Sequence, residues 1–260
     1  MTSSDILGNI AIIKSEKDGR EKTKKEKLEE AKEIIKRAPI KTVLEKSSNV
    51  QGRLRTIKTK HILGEKNLIA EHKENGVVVR FNVESCYFSP RLSNERKEIA
   101  MKIKSNQSVL VMFAGVGIYP IVIYKMVKPI RMVGVELGRE CCRYFKGNLK
   151  LNRISSDMVE VIQGDVKKKI GKDFEKFDVI VMARPNLKDT FLEQGLNASK
   201  KGTMIYYYGF SHDDDLEDLK EGLIEEAERF GRKIKILKVV KAIAIAPYKH
   251  RWRIEIRVLN

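Results

Sequence analysis

The sequence predicts an α/β fold, a doubly wound and mostly parallel sheet preceded by a small α+β domain. Three observations predict it. From about residue 98, apolar runs of strand length alternate with helical patterns, which requires a parallel sheet with crossover helices. The apolar run "SVLVMF" leads into the glycine turn "FAGVG" (113–117) and then a helical pattern, as at the opening of a nucleotide-binding sheet. Before residue 85 the rhythm differs, with short alternating runs around a single charged helical stretch.

In chain order, "DILGNIAII" (5–13) reads as a strand with a turn at Gly8. Residues 20–37 are charged and helix-favouring, with Leu28, Ala31, Ile34 and Ile35 at helical spacing. "TVLEK" is a short strand. "GRLRTIKTKHILGE" and "LIAEHKENGVVVRFNVES" read as strands joined by turns at Gly64 and Asn75-Gly76, the latter a hairpin signal. This gives a small α+β domain over residues 1–85 and a catalytic domain over residues 86–260. The second part begins with a helix from Lys97 to Ile103. "SVLVMF", "MVGVE", "MVEVIQ", "FDVIVMA" and "TMIYYYGF" then read as strands. Helices over "IVIYKMV", "RECCRYFKGNLKLN", "KDTFLEQGLNAS" and "DLEDLKEGLIEEAERFG" separate most of them, with the short turn "GD" after the third. The closing pair "KIKILKVVKAIAIA" and "RWRIEIRVL" is close in sequence, so the last strand returns antiparallel.

With 260 residues and 42% hydrophobic content, the composition is globular. No apolar run reaches the length of a bilayer span, and the first residues lack both a basic start and a cleavage site, so a cytoplasmic protein without membrane contact is expected. Cys86, Cys141 and Cys142 form no CxxC pair and the four histidines lack ligand spacing, so neither a disulfide framework nor a metal site is expected. Lys and Arg number 52 against 35 Asp and Glu, a formal net charge of +17. A surface this basic attracts phosphate backbones, which makes nucleic acid the leading partner.

Glycines in "FAGVG" permit positive φ and close approach of a ligand. The next strand ends in Glu136, placed to hold a ribose diol, and the third is followed by Asp165, placed to face an adenine edge. The dinucleotide pattern GxGxxG is incomplete here. The turn, Glu136 and Asp165 in that order point to S-adenosylmethionine, with its methionine end and ribose on Phe113, Ala114, Gly115 and Gly117. The plainer alternative, a solvated strand end at Glu136 and a turn cap at Asp165, stays open.

The stretch "YFSPRLSNER" (87–96) followed by "VMFAGVG" resembles the archaeal and eukaryotic tRNA (guanine-37-N1)-methyltransferase family. "DILGNIAII", "TVLEKSSNVQGRLRT", "NLKLN" (148–152), "IYYYGF" and "IAPYKHRWRIEI" are also similar to family segments, so the likeness covers nearly the whole chain. It implies a class I S-adenosylmethionine-dependent methyltransferase (Rossmann-like) sheet, acting as a monomer on the anticodon-loop region of tRNA. It further implies Glu95 as acceptor of the guanine N1 proton and Arg55 as donor to O6, where negative charge develops. Arg91 and Arg96 would organise the site or grip phosphates. Tyr87 and Phe88 would stack on the extruded base, or else be core aromatics.

The chain departs from the family pattern in three places. Val111 stands where an acidic residue is expected. "MARPN" stands for Met-Asn-Leu-Pro: Pro185 is kept as a cofactor contact, Ala183 replaces the asparagine, Arg184 is free to bind the tRNA backbone, and Asn186 is a shifted substitute. The sequence also begins after the extra N-terminal domain of many archaeal members. Two other readings therefore stay open. One is a wyosine-pathway enzyme of the same fold, either methylating a tricyclic precursor or transferring an aminocarboxypropyl group. The other is a tRNA-binding homologue without catalysis.

Overall fold

Short apolar segments broken by tight turns build the N-terminal sheet. A computed structural model describes residues 4–17, 19–184 and 187–260. Strand β1 (Asp5–Leu7) turns back into β2 (Ile10–Ile13), and a two-stranded ribbon, β3 (Glu16–Lys17) and β4 (Arg20–Glu21), follows. Helix α1 (Lys24–Ile35) starts at a capping box, with the Thr23 side chain and the Glu26 carboxylate each accepting from the other's backbone N–H. Its Ala31 and Ile34 pack on Ala11, Ile13 and Val43, which makes it the crossover between β2 and the parallel β5 (Thr42–Lys46). Strand β6 (Thr59–Gly64) completes the order β1-β2-β5-β6. "GRLRT" is not strand as expected. Gln51 and Thr56 pair across a tight turn, with Arg55 at φ +56.

Strands β7 (Ile69–Glu74) and β8 (Val77–Asn82) form the hairpin expected at Asn75-Gly76. A 3₁₀ turn over Pro90–Leu92 runs into α2 (Ser93–Lys102), which begins four residues before the expected Lys97. Glu95 and Arg96 therefore lie in the first turns of a helix, and no side chain caps it. Then come β9 (Ser108–Met112), α3 (Ile118–Val127), β10 (Arg131–Glu136), α4 (Arg139–Leu151), β11 (Glu160–Gln163) and α5 (Val166–Lys169). After these come β12 (Phe177–Met182), α6 (Leu192–Asn197), β13 (Ser199–His212), α7 (Leu216–Arg229), β14 (Ile234–Ala246) and β15 (Lys249–Val258). The seven-stranded sheet has the order β11-β10-β9-β12-β13-β15-β14. Strands β11, β10, β9, β12 and β13 run parallel, and β15 lies antiparallel between β13 and β14. Strand order reverses between β9 and β12, where a ligand crevice opens beyond the carboxyl ends of such a sheet.

The period of two along each strand assigns the two faces. Val109, Val111, Val179, Val181, Tyr206 and Tyr208 point to one core, shared with α2 and α3. Leu110, Met112, Ile180, Met182, Ile205 and Tyr207 point to the other, shared with α6 and α7. Burying each such side chain stabilises the fold by about 1.5–3 kcal/mol. Val111 is thus a fully buried core residue in this chain.

Either side of the division expected at residue 85, packing is continuous, and Leu7, Ile10 and Ile12 of the first sheet share one core with the hairpin. Ala70, Val77, Val79 and Phe81 of the hairpin belong to the same core as Val109 and Ile121 of the large sheet. Two asparagines of "NLKLN" fasten it further. Asn148 on α4 and Asn152 at its C-terminal cap are one helical turn apart and face β8 together. Asn148 accepts from Arg80 N (2.8 Å) and donates to Arg80 O (3.1 Å), while Asn152 accepts from Val78 N (3.0 Å) and donates to Val78 O (2.6 Å). The side-chain amides take the place of a neighbouring strand.

Among the described residues no helix is long and apolar enough to cross a membrane. Nor does any group of three or more His, Cys, Asp and Glu there offer a metal site.

Candidate active site

A cleft of about 430 Å³ lies between the N-terminal sheet and the carboxyl ends of β9, β10 and β12. Its floor at one end is the glycine turn. Gly115 sits at φ +57, and a Cβ there would meet nothing within 4 Å, so the turn leaves open space beside the cleft. Gly117 sits at φ +87, where a Cβ would lie 2.0 Å from the Phe145 ring. Of the residues expected to hold the cofactor, Phe113 and Gly115 line the cleft. Ala114 is instead buried in the core beside Phe145, and Gly117 is the turn's packing point, so both shape the turn without bordering the cleft.

Glu136 also lines the cleft, and it is not a solvated strand end. Its Oε2 accepts from Gly115 N (2.8 Å) and its Oε1 from Gly138 N (2.7 Å). Burial pushes this carboxyl above its usual range, against the pull of those two N–H groups. Asp165 caps α5 by accepting from Lys167 N (3.0 Å), as the plainer reading has it, and also lines the cleft. There Arg53, on the turn between β5 and β6, reaches across to it at 2.7 Å and holds its pKa below the usual range. A partly buried carboxylate, a glycine without a side chain and the apolar groups of Phe113, Leu137, Val166 and Phe191 surround this end. These are the partners that a ribose diol and an adenine ring require, so the residues fit S-adenosylmethionine. Pro185 and Asn186 lie outside the described residues.

The opposite wall carries positive charge and aromatic rings. Arg55 lines the cleft with its guanidinium 4.4 Å from the Tyr87 ring, and its Nε is buried with no acceptor among the described residues. Tyr87 is half exposed. Phe88, in contrast, stacks on Phe81 at 4.7 Å and belongs with the core. Arg91 is exposed at the cleft edge and pairs with Asp5 at 2.9 Å.

Two arginines expected to meet RNA are buried. Arg96, 2% exposed, grips Glu74 at 2.5 and 2.6 Å and donates to Ser89 O at 3.1 Å. It holds the "SPRL" turn and cannot reach a phosphate, so of its two expected roles the organising one fits. Arg184, 4% exposed, is no surface contact either. Its N–H groups go to the carbonyls of Tyr208 (3.1 Å), Leu187 (2.6 Å) and Asp189 (2.6 Å), and only its cleft side is open to a ligand.

Glu95 does not line the cleft. Its Oε1 accepts from the Tyr208 hydroxyl (2.8 Å) and from Arg253 Nη1 (2.7 Å), while its Oε2 makes no hydrogen bond among the described residues. Burial pushes the Tyr208 phenol well above its usual pKa, with Tyr119 and Glu95 adding to the shift, so Tyr208 stays a donor at neutral pH. The Arg251 guanidinium lies 4.3 Å over the cleft side of this assembly, on the Tyr208 ring, and itself lines the cleft. Glu95 thus stands one ring behind the cleft wall. Arg251 and Ile243–Ile245 at the tip of the last hairpin also line the cleft and were not singled out from sequence. The segment "IAPYKHRWRIEI" (245–256) holds Ile245 and Arg251 but gives neither a role.

The TRM5/TYW2 methyltransferase domain family matches residues 70–239. The tRNA (guanine(37)-N(1))-methyltransferase Trm5b of Pyrococcus abyssi is 32% identical over 260 residues, covering 99% of this chain and 75% of that protein. Its crystal structure superposes with a TM-score of 0.84, covering 100% of this chain and 76% of that one. The Nanoarchaeum equitans tRNA (guanine(37)-N(1))/4-demethylwyosine(37)-methyltransferase Taw22 is 29% identical over 303 residues, covering 97% of this chain and 99% of that protein. The complex of aTrm5 with tRNALeu matches with a TM-score of 0.83 at 27% identity, covering 99% of this chain and 72% of that one.

Proposed function

Because the chain belongs to the TRM5/TYW2 methyltransferase family, we propose that it methylates N1 of the guanosine on the 3′ side of the tRNA anticodon. The carrying observation is one cleft with Glu136 and Gly115 at one end and Arg55 and Tyr87 at the other. The cofactor is S-adenosylmethionine, which supplies an electrophilic methyl on a sulfonium. Glu136 would take the ribose hydroxyls, Gly115 would let the ligand approach the backbone, and Phe113, Phe191 and Asp165 would border the adenine.

In the transfer, the N1 proton goes to Glu95 as the N1 lone pair bonds to carbon and the carbon–sulfur bond breaks, which requires the extruded base to move past the Tyr208 ring behind which Glu95 stands in the free protein. Glu95 is suited to this because Tyr208 and Arg253 fix one oxygen and leave Oε2 unengaged. Arg55 donates to O6 as electron density builds there, its plane fixed by Tyr87. Tyr87 offers the extruded base a stacking face, and Arg91 and the surrounding basic surface grip the strand. The same reading has the chain working as a monomer on tRNA in the cytoplasm.

The test is methyl transfer to unmodified tRNA transcripts bearing guanosine or adenosine at position 37, followed by nucleoside mass spectrometry. The expected product is N1-methylguanosine on the guanosine transcript alone. No product despite tight tRNA binding would overturn the reading. Ala183, a small side chain on the cleft wall, favours a second substrate with a larger base. A tRNA carrying a tricyclic wyosine precursor tests this in the same assay.

A further inference from the structure

Buried cations in this chain commonly face a carboxylate. Arg96 holds Glu74, Lys27 meets Glu45, and Arg253 meets Glu95, Glu98 and Glu255. Arg251 differs. It is 7% exposed, yet among the described residues its side chain has no hydrogen bond or ion pair, and its Nε is sealed from solvent without an acceptor. What it has is aromatic surface, the Tyr208 ring at 4.3 Å and the Phe210 ring at 5.6 Å. Arg184 stands against the same Phe210 ring at 5.6 Å; among the described residues its hydrogen bonds go to uncharged carbonyls and its Nε has no acceptor. Burial depresses the Arg184 pKa, and the charge of Arg251 adds to the depression.

Two like charges in a largely buried wall, without an anion between them among the described residues, are unfavourable for the free protein. Both line the cleft, and stacking fixes the plane of the Arg251 fork while leaving its N–H groups without partners. We propose that Arg251, backed by Arg184, is an oxyanion subsite of the cleft and that its ligand is a phosphodiester oxygen of the RNA strand carrying the target nucleotide. The sheet order favours RNA over the amino-acid carboxylate of the cofactor. Arg251 lies on β15, four strands from β10 and Glu136, about 19 Å at the usual strand spacing. A guanidinium fork also matches phosphate geometry. The proposal rests on the tRNA reading above.

The test compares the wild type with Arg251→Met, which keeps length and removes charge, and with Arg251→Lys, which keeps charge and removes the fork. Affinity for a tRNA transcript is measured across salt concentrations, affinity for S-adenosylhomocysteine by calorimetry, and the melting temperature without ligand. In Arg251→Met, tRNA binding is expected to weaken about tenfold and its salt slope to drop by about one. Binding of S-adenosylhomocysteine stays unchanged, and the free protein melts a few degrees higher once an unpaired buried charge is gone. Arg251→Lys weakens tRNA binding but keeps the salt slope. Weaker S-adenosylhomocysteine binding with unchanged tRNA binding would overturn the proposal and assign the subsite to the cofactor carboxylate. Unchanged affinities with a lower melting temperature would also overturn it, leaving Arg251 a packing residue. If the wild type itself does not bind tRNA, the functional reading fails before the subsite is reached.

Discussion

Glu136, partly buried, and Arg251, buried, are ionisable groups on the wall of one cleft, and their surroundings differ. Glu136 accepts from two glycine N–H groups that the fold places for it, so its geometry is set before any ligand arrives. Arg251 lies on aromatic rings with no acceptor among the described residues. The cofactor end is held by local backbone, within a turn and the strand beside it. The Arg251 end, the proposed RNA subsite, is held by side chains from distant strands and has donors left over among the described residues. A small ligand of constant shape suits the first arrangement, and a polyanion that must be bent to fit suits the second.

Glu95→Gln tests the RNA end with the largest expected effect. Methyl transfer should slow by about 10² to 10⁴-fold, the usual contribution of a positioned base. Affinities for tRNA and S-adenosylhomocysteine should stay within a few-fold, measured under the same conditions. Equal loss of rate and tRNA affinity would place Glu95 in binding instead.

Two glycine substitutions sharpen the other side. Gly117→Ala puts a Cβ into the Phe145 ring at positive φ and should cost about 3 kcal/mol or more in denaturant unfolding. Gly115→Ala meets no atom and should cost about 1–2 kcal/mol from its φ alone. It should nonetheless weaken S-adenosylhomocysteine binding by tenfold or more, because the open space beside the cleft is filled. If both variants lose stability equally, the turn is a packing feature only.

Glu136→Gln should lower cofactor affinity by about tenfold to a hundredfold, the scale of charge-assisted hydrogen bonds. It also carries a pH signature. The folded-state pKa of Glu136 is raised by burial, so the folded protein holds its proton longer than the unfolded chain. Stability from this group is present below the ordinary glutamate range and is lost as pH rises through the raised value. Unfolding free energy measured against pH should therefore lack that fall in the glutamine variant. The smallest effect is expected for Arg91→Ala, whose partner Asp5 is also exposed: under about 0.5 kcal/mol in stability and a few-fold in tRNA affinity.

Features whose cause is local were legible in the sequence. The strand alternation, the hairpin at Asn75-Gly76, the glycine turn and Glu136 at its strand end all lie where the pattern places them. What was hidden joins residues far apart in the chain. The Glu95–Arg253 pair spans 158 positions, and no periodicity announces it. Arg96 and Arg184 look like surface cations in the sequence, and only the fold shows Glu74 beneath one and three carbonyls around the other. "NLKLN" was visible as a motif, but its two clamps on β8 need the helix and the hairpin to be brought together.

That clamp bears on how such proteins can be recombined. A chimera that joins the N-terminal part of one relative to the sheet of another at residue 85 would pair Asn148 and Asn152 with a foreign hairpin edge, putting at risk the match of four polar atoms to the Arg80 and Val78 backbone. A junction before Ile69 would move the hairpin and its clamp as one inherited piece. That junction has its own ties to keep, since Glu71 N donates to Asn9 Oδ1 at 2.7 Å and Leu7, Ile10 and Ile12 share the hairpin's core, so a graft there must carry a matching β1–β2 edge.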